Sequence, residues 1–183
     1  MRRVSIAGLP WKCLSSKPLV SDRWLRLRAD RCELPSGVVL DPYYVIEESD
    51  WVHIVAIAAD GMILTVRQFR YAAGTACTEL PGGVIDRGEA ALGAAKRELR
   101  EETGFEAGDW KEVGSTFANP ARQTNKLHVF VAKNLKKGSQ SLDESEDIDF
   151  SFMSVSAIKA AIKSGEFSQS LHIASFYLAL DYP

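Results

Sequence analysis

Three glutamates, Glu98, Glu101 and Glu102, lie within a stretch dominated by Ala, Leu, Glu, Lys and Arg, residue types that favour helix. Separations of three and four residues place side chains on one helical face. Like charges so placed repel, and a hard divalent cation converts that repulsion into binding, because Mg²⁺ prefers carboxylate oxygens together with water and phosphate. Glu89, a little over two turns earlier, can join the same face, and Arg97 is placed to pair with a carboxylate and fix its orientation. Taken alone, the run is explained equally well as a solvated acidic face. The preceding Leu80-Pro81-Gly82-Gly83 shifts the balance. A proline and two glycines exclude regular helix there, and the glycines let backbone approach a metal or phosphate closely.

These residues need a frame. The helix is expected over Glu89 to Thr103, closed by Gly104 at its C-cap. Upstream, Arg23 to Glu33 and Val38 to Glu47 read as strands joined by a turn at Leu34 to Gly37, hence a hairpin. Val52 to Ala59 and Met62 to Phe69 flank Asp60-Gly61 and read as a second hairpin. Downstream strands are expected at Lys111 to Phe117, Leu127 to Ala132 and Phe150 to Val155, with helices at Ser156 to Ser164 and Ser168 to Leu180. That order indicates an α+β domain layered as α/β/α. Residues 1–47 are expected to form an N-terminal antiparallel strand extension, and 48–183 the catalytic domain.

The chain has 183 residues, with 22 Lys and Arg against 24 Asp and Glu. This near-neutral balance lacks the basic excess of a nucleic-acid-binding protein. No apolar run approaches a membrane span. Met1 to Pro10 carries no long apolar stretch, so no signal peptide is expected. Cys13, Cys32 and Cys77 are odd in number and unpaired in motif, which fits free thiols in a reducing cytoplasm. His53, His128 and His172 have no metal-like spacing and are expected to be structural or on the surface.

With loop and helix in place, the pattern resembles the Nudix box. Gly83, five residues, Glu89, seven residues and then Arg97-Glu98-Leu99-Arg100-Glu101-Glu102-Thr103-Gly104-Phe105 match every defining position over 23 residues. The resemblance implies a Nudix fold, with a mixed sheet sandwiched between helices. It also implies hydrolysis of a nucleoside diphosphate linked to another group. By this resemblance Glu98 and Glu102 are the principal Mg²⁺ ligands, with Mn²⁺ as a substitute ion. Glu101 supports them and the Gly82 carbonyl completes a shell. Gly83, Glu89 and Arg97 support the site.

The flanks narrow the branch. Val66-Arg67-Gln68-Phe69-Arg70, Glu79-Leu80-Pro81-Gly82-Gly83, and Pro120 sixteen residues beyond Gly104 resemble ADP-ribose and nucleotide-sugar pyrophosphatases. The implied substrate is a nucleotide sugar, ADP-ribose first and GDP-mannose close behind. Arg70 is then a candidate for the substrate phosphates, and Glu79 either contacts substrate or braces the loop. Tyr44 and Trp51 are candidates for stacking on the base. The general base is expected in the acidic loop Leu142 to Ile148, at Glu146 with Glu144 in reserve. Asn125 departs from the branch, standing where a glutamate is expected. Branch members commonly exchange N-terminal strands, so a homodimer through Arg23 to Glu47 is implied. The rival readings are another Nudix pyrophosphohydrolase, acting on nucleoside triphosphates or RNA 5′ ends, and a non-catalytic nucleotide-binding module.

Overall fold

A computed structural model of the chain describes residues 10–142, 147–180 and 182. The chain divides into two compact units, residues 1–48 with 117–125, and residues 49–116 with 126–183.

The first unit is an antiparallel sheet of β1 (Lys12–Ser21), β2 (Arg26–Glu33) and β3 (Val39–Glu47), with β2 central. The expected β2–β3 hairpin is present. Gly37 takes a left-handed φ of 84°, and the Leu34 N–H bonds to the Val38 carbonyl at 2.8 Å. β1 was not expected, because its sequence alternates poorly and contains Pro18. Residues 117–125 are tied to β3: the Tyr43 hydroxyl donates to the Ala121 carbonyl at 2.5 Å, and the Ile46 N–H to the Arg122 carbonyl at 2.8 Å.

The second unit is built around β4 (Trp51–Ala56), which lies between β7 (Gly82–Val84), antiparallel to it, and β9 (Lys126–Lys137), parallel to it. β8 (Phe105–Phe117) completes this mixed sheet. A second sheet has the order β10 (Ile148–Met153), β5 (Ile63–Arg70), β6 (Thr75–Glu79). The apolar run of β4 is buried on both faces. Val52, Ile54 and Ala56 pack with Ala94, Ala95 and Leu99 of α1 (Ala91–Thr103). Val55 packs with Ile158 of α2 (Val155–Ser164), Phe167, and Phe176 of α3 (Ser170–Leu180). Helices thus cover both faces of a mixed sheet, as the α/β/α expectation requires.

One expectation fails. β4 and β5 do not pair as a hairpin: the turn at Asp60-Gly61 forms, but only the bridge Ile57↔Ile63 follows it. A strand buried on both faces must satisfy its backbone groups within the core, and β7 and β9 do so for β4. No helix among the described residues is long and apolar enough to cross a membrane.

Candidate active site

α1 begins one residue after Ala90, which supplies no side-chain cap, and ends at Gly104 in a left-handed conformation, φ 73°, with its N–H on the Arg100 carbonyl. Ala94, Ala95 and Leu99 face the core, and Glu98 and Glu102 lie on an adjoining buried strip. Carboxylates in the last turns meet the negative end of the helix dipole as well as one another. Helix stability alone would select against them.

Compensation comes from two sources. Arg97 is the hub: it donates to Glu89 Oε1 and Oε2 at 3.2 and 2.9 Å, to Glu98 Oε1 at 2.8 Å, to Glu101 Oε2 at 3.2 Å and to the Val84 carbonyl at 3.0 Å. Its guanidinium is held charged chiefly by Glu89, and the same bonds hold the Glu89 carboxyl below the usual range. The second source is the glycine turn. The Gly82 N–H donates to Glu102 Oε2 at 2.9 Å. A Cβ at Gly82 would overlap the Val52 carbonyl oxygen, whereas one at Gly83 would overlap the Glu98 carboxylate. Backbone packing therefore requires the first glycine, and the second keeps a place for a charged group. Sequence reading expected Glu89, Arg97, Glu98, Glu101, Glu102, Gly82 and Gly83 together, and the structure brings them together.

Among the described residues no group of three or more His, Cys, Asp or Glu side chains is placed to hold a metal ion by itself. What they offer is an open set: carboxylate oxygens on one helix face beside a turn that no side chain obstructs. All the donors are hard oxygens, which suits a small divalent cation that keeps part of its water shell.

Arg70 and Glu79 lie at opposite ends of the β5–β6 pairing yet meet through their side chains. Arg70 donates to Glu79 from Nη2 at 2.5 Å and from Nε at 3.1 and 3.2 Å, and the Gln68 amide reaches Glu79 at 3.5 Å. Glu79 has no exposed surface, so its geometry is that of a brace, while the Arg70 side chain is 46% exposed. Trp51 opens β4, half-buried, opposite Val84 and Leu127. Tyr44 is exposed on β3. Asn125 is buried, and neither atom of its amide has a hydrogen-bond partner among the described residues. Glu144 and Glu146 lie outside the described residues.

Sequence reading did not foresee how two histidines enter this arrangement. His53 and His172 are both buried and stack with ring centroids 3.7 Å apart. The Leu80 N–H donates to His172 Nδ1 at 3.2 Å, which leaves the proton on Nε2, 3.5 Å from Glu79 Oε2. Ser175 Oγ donates to the Leu171 carbonyl and lies 2.9 Å from His53 Nδ1. Burial, with the Arg70 charge nearby, lowers the His53 pKa to about 3. Burial likewise lowers that of His172, with His53 and Arg70 adding to the effect. A signal was available: each histidine interrupts an apolar run, where only a satisfied polar group can sit. His128 lies between Asp50 and Glu112, nearer the surface.

Comparison with known proteins agrees with this geometry. Residues 50–171 match the NUDIX domain, and residues 11–46 match the nucleoside diphosphate sugar hydrolase N-terminal domain. A methanol dehydrogenase activator of Bacillus methanolicus is 31% identical over 140 residues, covering 75% of each chain. An ADP-ribose pyrophosphatase of Mycobacterium tuberculosis is 29% identical over 167 residues, covering 90% of this chain and 80% of its own. The crystal structure of an ADP compounds hydrolase superposes with a TM-score of 0.85 at 20% identity, over 97% of this chain and 96% of that one.

Proposed function

The chain belongs to the Nudix hydrolase family, and from that premise we propose that it hydrolyses the diphosphate of a nucleotide sugar. ADP-ribose, yielding AMP and ribose 5-phosphate, is the first substrate and GDP-mannose the second. The observation that carries this reading is the Glu98–Glu102 pair held against Gly82 and Gly83. The match of residues 11–46 to a nucleoside diphosphate sugar hydrolase domain supports the substrate class, as does the resemblance to an ADP-ribose pyrophosphatase.

Glu98, Glu102 and the Gly82 carbonyl hold Mg²⁺ or Mn²⁺, with Glu101 in support. When bound, such an ion supplies charge neutralisation at the diphosphate and activation of water. Arg97 and Glu89 keep the carboxylates oriented. Arg70, seated on Glu79, presents its exposed edge to a phosphate. Tyr44 and Trp51 stack on the base, and Glu146, or Glu144, accepts the proton from the attacking water.

The protein works as a homodimer through its N-terminal sheet. Trp11, Leu14, Leu19, Val20 and Val39 are exposed there, and exposed apolar side chains gathered in one element support a role in association. Its three free cysteines support a cytoplasmic setting.

The test is release of AMP from ADP-ribose and NADH, GMP from GDP-mannose and dGMP from dGTP, with and without Mg²⁺. Turnover of a nucleotide sugar that needs Mg²⁺ and far exceeds that of dGTP supports the reading. A preference for dGTP overturns the branch, and no turnover at all leaves a binding module.

A further inference from the structure

We propose that His172 of α3 is a positioning residue that serves both halves of this site at once, the glycine turn and the substrate arginine. The inference rests on the function proposed above but concerns a residue outside the box, about 70 positions away in the chain.

His172 is 3% exposed, and its two ring nitrogens face two different functional elements. Nδ1 accepts from the Leu80 N–H at 3.2 Å. Leu80 leads directly into Pro81-Gly82, and the Gly82 N–H holds Glu102 at 2.9 Å. Nε2 stands 3.5 Å from Glu79 Oε2, and that same oxygen receives Arg70 Nη2 at 2.5 Å. One imidazole thus joins the backbone that sets Glu102 to the carboxylate that sets Arg70. Its ring plane is fixed from the side by stacking on His53, which is tied in turn to Ser175. A neutral ring that accepts at Nδ1 carries its proton on Nε2, the nitrogen that faces Glu79. A phenyl ring would fill the same space and keep the stack, yet leave the Leu80 N–H and one Glu79 oxygen without that partner.

Two amides separate the arms. Asparagine at 172 puts an acceptor near the place of Nδ1, and glutamine puts a donor near that of Nε2. His172→Phe is expected to raise both the KM for ADP-ribose and the half-saturating Mg²⁺ concentration by about tenfold, the lower end of what losing a second layer of support costs. His172→Asn should recover the Mg²⁺ dependence more than the KM, and His172→Gln the reverse. Two measurements do not depend on turnover. Ring ¹⁵N spectra of the parent should show Nδ1 unprotonated and Nε2 protonated. Backbone ¹⁵N spectra should show the Leu80 and Gly82 amides displaced in His172→Phe and near their parent positions in His172→Asn. The proposal is overturned if the opposite tautomer is found. It is equally overturned if His172→Phe leaves those amides and both concentration dependences at parent values, any loss of rate then following the folded fraction. If the parent hydrolyses no nucleotide sugar, the proposed function fails on that assay while the spectra still decide the role of His172.

Discussion

In the N-terminal sheet, β1 is exposed along its whole length, and the buried side chains of β1–β3 are Asp30 and Cys32. Its buried Asp30 is held by polar contacts: Ser16 donates to it at 2.5 Å, and Arg28 bonds it at 3.0 Å and also pairs with Glu47. In the second unit, β4 is buried from Val52 to Ala56, and apolar clusters lie on both of its faces. Even its buried carboxylates are answered, Glu98 by Arg97, Glu102 by the Gly82 N–H and Glu79 by Arg70. The difference separates two tasks. Holding like charges at a helix C-terminus requires rigid surroundings, because the repulsion must be offset by groups that cannot turn away. A three-stranded sheet with so few fully buried side chains cannot offer that rigidity alone, but it is suited to being covered by another surface.

The largest expected effect tests whether the rigid unit holds charge for chemistry. Glu98→Gln should lower kcat/KM on ADP-ribose by about two to three orders of magnitude, the scale for losing a charge-stabilising group, with little loss of thermal stability because a repulsive charge has gone. Gly83→Ala should act in the same direction, since its Cβ displaces the Glu98 carboxylate and not the backbone. Full activity in Gly83→Ala would show that the exact seat of Glu98 is unimportant.

A pair of truncations probes the comparison directly. Leu99, with no exposed surface, should cost about 2–5 kcal/mol when replaced by Ala. Val39, 40% exposed, should cost under about 0.5 kcal/mol in dilute protein, while weakening self-association measured by analytical ultracentrifugation. Equal losses for Leu99→Ala and Val39→Ala at every concentration would mean that the sheet has a core of its own, and the contrast would fall.

The most graded effect is set by pH. The unfolded chain takes up a proton at each histidine near the ordinary value of 6.5, whereas folded His53 resists until about 3 and folded His172 is also lowered. Both folded pKa values are depressed, so stability is complete above about pH 6.5 and declines as the pH falls through that window. The slope is about 1.4 kcal/mol per pH unit for each proton. Urea midpoints between pH 7.5 and 5 should show the decline, and His172→Phe should make it shallower. A flat profile would mean that these histidines titrate alike in both states.

The box helix and its glycine turn were readable because their logic is local. Glu98 and Glu102 share a face by helical geometry alone, Gly104 ends the helix by its own φ, and Pro81-Gly82-Gly83 excludes helix wherever it occurs. β2 and β3 were readable for the same reason, through the Leu34–Gly37 turn. The expected β4–β5 hairpin was misread because turn chemistry specifies a reversal but not the partner of a strand buried on both faces. β1 and the short strands β6 and β7 carry too weak a pattern to be read at all.

Spacing along the chain decided which carboxylates gather, because residues three and four apart on a helix have no choice of neighbour. Folding decided what holds them. Arg70 finds Glu79 because antiparallel pairing returns β6 alongside β5, and His172 reaches Leu80 because α3 packs on β4. Cys13 and Cys32, nineteen positions apart and without a motif, face each other across β1 and β2. Such contacts depend on strand register and on which face a helix buries. Those are properties of the packed whole, since every apolar surface must find cover and every buried polar group a partner at the same time.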